Sequence, residues 1–260
     1  MSKTIRSFCA AVAFGIGLGG AQPSLAVPVA LELSLVIDVS GSVTATEYDL
    51  QRTGYAKAFR DPWIQSQIAA LAGGGGVAVN VIQFATSATQ AIDWTLLTTV
   101  ASINAFADAL EAMPRALTGN TAIANAISLA TEAILFNQYE GARMVIDLSA
   151  DGAENTIAGC DTTSCPAVRA VRDDAAAEGI VINGLPILTD LGQTLLQTYF
   201  LNNVITAGGF SQPAATFDDF DRAVALKIGR EIRPVPEPGS LALLGIAALA
   251  GWSLRRRPAA

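Results

Sequence analysis

Apolar positions fall in two rhythms along the chain. Short, nearly unbroken apolar runs at 31–38, 77–85, 143–149 and 180–187 predict strands buried on both faces, and a briefer run at 89–94 predicts an edge strand. Between them, apolar residues recur every three or four positions, the spacing of a helix with one buried face. Thr44-Ala45-Thr46-Glu47 carries the hydroxyl and glutamate of a capping box. It opens a helix expected to reach about Phe59, with Tyr48, Tyr55 and Phe59 on one face. A short helix at 63–71 ends at Gly73-Gly74-Gly75-Gly76; no Lys-Ser/Thr pair follows, so these glycines read as a turn and not as a phosphate loop. Further helices are expected at 103–113, at 122–137 (where Ile123, Ile127, Ala130 and Ile134 share a face), at 168–178, at 191–201 and at 217–230. A weak strand is expected around 204–206. Strands alternating with helices predict one α/β domain, a doubly wound, mostly parallel sheet with right-handed crossovers. Such sheets bind ligands beyond the carboxyl ends of their strands, at a topological switch point.

Both ends depart from this pattern. Lys3 and Arg6 precede an apolar stretch from Phe8 to Gly20, and Ser24-Leu25-Ala26 offers small residues for cleavage, so residues 1–26 read as a secretory signal peptide. The alternative is an N-terminal anchor, but the apolar stretch is short and no basic cluster follows it. At the other end, Val235-Pro236-Glu237-Pro238-Gly239-Ser240 leads into the apolar stretch 241–254 and then Arg255-Arg256-Arg257. That stretch is shorter than the ~20 residues a comfortable membrane span needs, and its arginines would face the cytoplasm. Pro-Glu-Pro, an apolar helix and a basic end together resemble the PEP-CTERM sorting signal of Gram-negative bacteria. The resemblance implies export across the inner membrane, transient anchoring by the C-terminal helix, cutting near Pro236–Pro238 by an exosortase-type protease, and a final place at the cell surface or outside it. A plain C-terminal anchor is the alternative. The domain itself is expected at 27–232, with the sorting signal at 233–260.

Composition narrows the chemistry. The formal net charge is −7, and five of the basic residues lie in the two end segments, so the middle is more acidic still. It is expected to repel nucleic acid and anionic membrane surfaces. The chain has no histidine, which removes the commonest general base and much triad, zinc-hydrolase and phosphoryl-relay chemistry. Cys9 leaves with the signal peptide; Cys160 and Cys165 remain, and in an exported chain they are expected to form a disulfide around a small loop. No further Cys or His completes a zinc site beside them.

The chemistry concentrates at strand ends. Leu35-Val36-Ile37-Asp38-Val39-Ser40-Gly41-Ser42 delivers one carboxylate and two hydroxyls to a tight turn, an all-oxygen set suited to a hard cation such as Mg²⁺. A polar turn after a strand is the plainer alternative. Asp-x-Ser-x-Ser resembles the metal-ion-dependent adhesion site of von Willebrand factor A domains, a Rossmann-like α/β fold in which the metal keeps a position open for a partner's carboxylate. Two further elements match in order. Thr121, in Gly119-Asn120-Thr121-Ala122-Ile123, matches the family's metal-binding threonine, or else it is only a helix N-cap. Asp151, in Ser149-Ala150-Asp151-Gly152, matches the aspartate that reaches the metal through water, or else it marks a common Asp-Gly turn. The resemblance implies a metal set of Asp38, Ser40, Ser42, Thr121 and Asp151, holding Mg²⁺, Mn²⁺ or Ca²⁺.

Glu47-Tyr48, Gln51-Arg52, Gly54-Tyr55, Ala58-Phe59-Arg60-Asp61-Pro62, Arg143-Met144-Val145-Ile146-Asp147 and Ile182-Asn183-Gly184-Leu185-Pro186-Ile187 are similar to an uncharacterised bacterial family, DUF1194, over roughly 31–230. The loop 155–166, with Asp161 in it, is expected to wall the site or simply to be stapled for stability. Arg169 and Arg172 read as solvated, Trp94 as packed, and Asp147 as a buried carboxylate that needs a partner. Three functions are open. The first is a non-enzymatic, cation-dependent module binding an acidic protein or extracellular polymer. The second is a structural matrix component whose metal site is idle. The third, a metal-assisted hydrolase, is disfavoured by the missing histidine and by the lack of a nucleophile–base pair.

Overall fold

The computed structural model describes residues 26–189 and 193–233. Most of the expected signal peptide, the start of the helix expected at 191, and the expected C-terminal helix lie outside the described residues. No helix among the described residues is long and apolar enough to cross a membrane.

In chain order the elements are β1 (Val27–Val29), β2 (Leu31–Asp38), α1 (Ala45–Arg60), α2 (Pro62–Ala70), β3 (Val77–Phe84), β4 (Ala88–Leu97), α3 (Val100–Ala112), α4 (Ile123–Leu135), β5 (Tyr139–Gly141), β6 (Met144–Ala150), α5 (Pro166–Ala177), β7 (Ile180–Pro186), α6 (Gln193–Tyr199) and α7 (Phe220–Glu231). The main sheet has the order β4-β3-β2-β6-β7, parallel except for the antiparallel edge strand β4. The expected edge strand is therefore longer than its apolar run, because a hairpin to β3 supplies backbone partners along ten residues. The pair β1–β5 forms a small separate parallel ladder that the periodicity does not announce; three-residue strands are too short to show one.

Helices cover both faces. Leu31, Leu33, Leu35 and Ile37 of β2 pack with α1, α3 and α7, while Val36, Ile146 and Leu148 pack with α4, α5 and α6. The capping box of Thr44 and Glu47 starts α1 as its sequence predicts, and a second one, Thr99 with Ser102, starts α3 three residues before the expected point. The weak strand expected at 204–206 is not a strand. Phe200–Val204 instead form a π-helical turn continuing α6; Thr206 bonds to Ile182 of β7, and single bridges follow further on, Ser211 with Gly184 and Ala214 with Ile187.

The topology creates a site. The order in which strands are added reverses about β2: β3 follows on one side and β6 on the other, so the loops leaving β2 and β6 diverge. Register pairs Ile37 with Ser149, which brings Asp38 and Asp151 to the same carboxyl edge.

Candidate functional site

Three loops meet above β2. In the first, the Ser40 amide donates to Asp38 Oδ1 at 2.7 Å and closes the Asp-x-Ser turn. In the second, the Gly41 amide donates to the Gly119 carbonyl at 2.6 Å. Gly119 sits at φ +121°, and a Cβ there would lie 2.3 Å from Thr86 Oγ1, so the loop needs glycine at this point. In the third, the Thr121 amide donates to Asn155 Oδ1 at 2.7 Å, joining the Thr121 loop to the one after β6.

The hydroxyls form a chain. Thr121 Oγ1 donates to Ser40 Oγ at 3.2 Å, Ser40 Oγ lies 3.1 Å from Ser42 Oγ, and Ser42 Oγ donates to Asp151 Oδ1 at 2.8 Å. All five residues singled out by sequence thus converge. Asp38, Ser40, Thr121 and Asp151 are buried, and Ser42 is exposed at the mouth. Thr121 is not the N-cap of α4. That position belongs to Ala122, with no side-chain cap; Glu154 takes over the duty by accepting from the Ala124 amide at 2.9 Å. The Thr121 hydroxyl is left to face Ser40.

Burial dominates the electrostatics. Asp38 is pushed up to about 7, first by loss of water and then by the neighbouring Asp151 carboxylate. The Ser40 hydroxyl and the amides of Ser40 and Asp151 offset only part of this. Asp38 Oδ2 is buried and has no hydrogen-bond partner among the described residues. Two carboxylates and three hydroxyls, with one buried carboxylate oxygen unmet, are a donor set that a hard divalent cation fits. The described residues contain no cluster of three or more His, Cys, Asp or Glu side chains that could hold an ion, so any such site depends on the hydroxyls.

Several supporting residues have no local sequence signal. Arg115 donates to the carbonyls of Val39 at 2.7 Å and Ser40 at 2.6 Å, and Gln51 donates to the Asp38 carbonyl at 3.0 Å. Beside the site, a cleft of about 370 Å³ is lined by Ser42, Thr121, Asn155, Ile157 and Asp161. The Cys160–Cys165 disulfide is formed and closes the loop on its far wall. Asp161 accepts from the Thr163 amide and hydroxyl, both at 2.7 Å, and so serves the loop's own turn; these bonds hold its carboxyl below the usual range. Arg169 and Arg172 are not simply solvated. Arg169 donates to Asn203 Oδ1 at 2.7 Å and Arg172 to the Asn202 carbonyl at 3.0 Å, tying α5 to the π-helical turn. Trp94 is packed, its Nε1 donating to the Ala133 carbonyl at 3.0 Å.

This three-layer α/β architecture is the von Willebrand factor A-like fold, and solved structures share it. Proximal thread matrix protein 1 from the mussel byssus is 18% identical over 80% of this chain and 47% of its own, with a TM-score of 0.56. The pilus adhesin SpaC from Lactobacillus rhamnosus GG is 16% identical over 78% of this chain and 30% of its own, with a TM-score of 0.57. The von Willebrand domain of the type V pili tip protein Mfa5 from Porphyromonas gingivalis is 14% identical over 81% of this chain and 98% of its own, with a TM-score of 0.50. The chain thus spans about half the length of the mussel protein and less than a third of the adhesin. No curated protein matches it in sequence. Residues 28–236 match the family described as "Protein of unknown function (DUF1194)", and the chain belongs to that family. Residues 234–257 match the PEP-CTERM protein-sorting motif.

Proposed function

We propose that this is an exported, non-enzymatic module that binds an acidic protein or extracellular polymer through a divalent cation. Asp38, Ser40, Ser42 and Thr121 would hold the ion directly, and Asp151 would act through water. The observation that carries the reading is the buried, unmet Asp38 Oδ2 beside a second carboxylate, ringed by hydroxyls. When bound, Mg²⁺ supplies a Lewis-acidic position for an outside carboxylate. The chain's own part is to orient the oxygens: the Arg115 and Gln51 bonds fix the loop backbone, and the Thr121–Ser40–Ser42–Asp151 chain sets the hydroxyl directions. One structure of the mussel matrix protein has a zinc-occupied MIDAS motif, which supports divalent-cation binding on this fold. The sorting motif supports a route across the inner membrane of a Gram-negative bacterium, with signal peptidase and an exosortase-type protease trimming residues 1–26 and the C-terminal tail.

Titration calorimetry of the full chain with Mg²⁺, Mn²⁺ and Ca²⁺, beside Asp38→Ala, tests this. Saturable binding to the wild type that the variant lacks is expected; a folded wild type that binds none of the three ions overturns the metal reading. One observation favours the alternative of a structural matrix component with an idle site. The three hydroxyls and Asp151 already bond to one another without an ion. On that reading, Asp38→Ala alters stability but leaves retention in the matrix unchanged.

A further inference from the structure

Away from the candidate metal edge, α2 and α7 enclose an open groove of about 590 Å³, and none of its lining residues belongs to the loops around Asp38. Three arginines, Arg222, Arg230 and Arg233, line it in a chain whose net charge is −7. The Arg230 guanidinium lies 3.7 Å from the Phe210 ring centroid, and that of Arg233 lies 4.9 Å from the Trp63 ring centroid. A cation–π contact holds a guanidinium in place without using up its N–H donors. No carboxylate among the described residues pairs with either one; Arg222 is tied only loosely, 3.7 Å from Asp219. Two cations are thus held in place, unneutralised, in one recess.

The rest of the lining says what kind of anion fits. Gln212 contributes an amide, and Asp61 a carboxylate; only its Oδ1 is taken, by the amides of Trp63 and Ile64 that it caps. Leu226 is 59% exposed and offers an apolar surface. The open Asp61 oxygen beside the guanidiniums can accept hydrogen bonds from hydroxyls, which a polymer carrying acid groups alone does not offer. A ligand suited to all of these carries acid groups, hydroxyls and apolar C–H faces on one body.

We infer that the α2–α7 groove is a second binding site, for the carboxylates and hydroxyls of an acidic polysaccharide, with Arg230 and Arg233 as paired carboxylate receptors. It does not depend on the metal edge. If both sites engage one extracellular polymer, the two contacts add by avidity and not by any new interaction.

The test measures binding of polygalacturonate to the full chain in nonionic detergent, with EDTA present so that no cation bridges the two. Dextran, dextran sulfate and poly-glutamate are the comparison polymers. Polygalacturonate is expected to bind in preference to all three. The affinity should fall roughly tenfold or more in Arg230→Ala/Arg233→Ala, as loss of paired charge-assisted bonds requires. Asp38→Ala should bind as the wild type does. The pair Arg230→Lys/Arg233→Lys keeps the charge without the paired donors and should be several-fold weaker. Full affinity in the lysine pair, equal binding of dextran sulfate or poly-glutamate, or no polygalacturonate binding by the folded wild type would each overturn the inference.

Discussion

Asp38 is the residue on which charge, burial and proposed function meet. Its carboxyl is raised from 3.8 to about 7 in the folded chain, by burial first and by Asp151 second. Between those values the folded state holds a proton that the unfolded chain has released. Its contribution to stability is therefore complete below about pH 4 and is lost as pH rises through 7. In EDTA, Asp38→Asn should consequently overtake the wild type as pH rises from 4 to 8, by at most about 4 kcal/mol. Glu231 shifts in the same sense, but it is present in both proteins and cancels in the comparison. Adding Mg²⁺ at pH 8 should reverse the order, because a bound cation stabilises only the chain that keeps both carboxylates. Thermal unfolding at several pH values, with and without Mg²⁺, checks both halves. A variant and wild type that run parallel across the range would mean that Asp38 is not held in this state.

Elements explain what could be seen in advance. Asp38, Ser40, Ser42, Thr121 and Asp151 each sit where an apolar run stops or a helical pattern begins, which is a local signal, but their grouping into one set came from the resemblance to the adhesion-site motif. The supports were not legible, because their partners are distant: Arg115 reaches back 76 positions to the Val39 carbonyl, and Glu154 caps a helix 30 positions earlier. Glu32 hides inside an apolar run for the same reason; it accepts from the Gly141 amide and from Asn137 Nδ2, both at 2.6 Å, and burial raises its carboxyl. The loop between β6 and α5 is the element where this division can be tested. Its disulfide spans five positions, and Cys165 is fully buried, its amide bonded to Asn203. Cys160→Ser/Cys165→Ser should lose about 2 kcal/mol in chemical denaturation, the chain-entropy value for so short a loop. Mg²⁺ titration of the same variant should be unchanged, since none of the proposed metal-site residues lies between the two cysteines. Loss of Mg²⁺ binding would instead make the loop part of the metal site rather than a wall beside it.

At the scale of the whole molecule, the last helix is fastened to the sheet by charge as well as by apolar packing. Lys227 of α7 is fully buried, with Nζ 2.6 Å from Asp147 Oδ1 on β6 and 2.8 Å from Glu231 Oε1. Tyr55 of α1 donates to Asp147 at 3.2 Å, and Asn183 of β7 to Glu231 at 2.9 Å, so three helix–sheet contacts share one network. Asp147 thereby finds the partner its buried position demanded. Burial first and the Asp147 carboxylate second raise the Glu231 carboxyl, and Lys227 offsets part of the rise. A carboxyl raised in the folded state contributes stability that is present below its ordinary value of 4.5 and fades as pH rises above it. Buried ion networks are costly to break and cheap to replace whole. Lys227→Met alone strands two carboxyl groups in the core and should cost ~3–5 kcal/mol. Asp147→Asn/Lys227→Met/Glu231→Gln removes every charge at once and should recover most of that loss, with a flatter dependence on pH between 6 and 9. Denaturant unfolding of the three proteins across that range decides the matter. A triple variant no better than Lys227→Met would mean that the network is held by its geometry and not by the pairing of its charges. Because the sorting motif begins at residue 234 and α7 ends at Glu231, this network also clamps the segment that joins the domain to its tail.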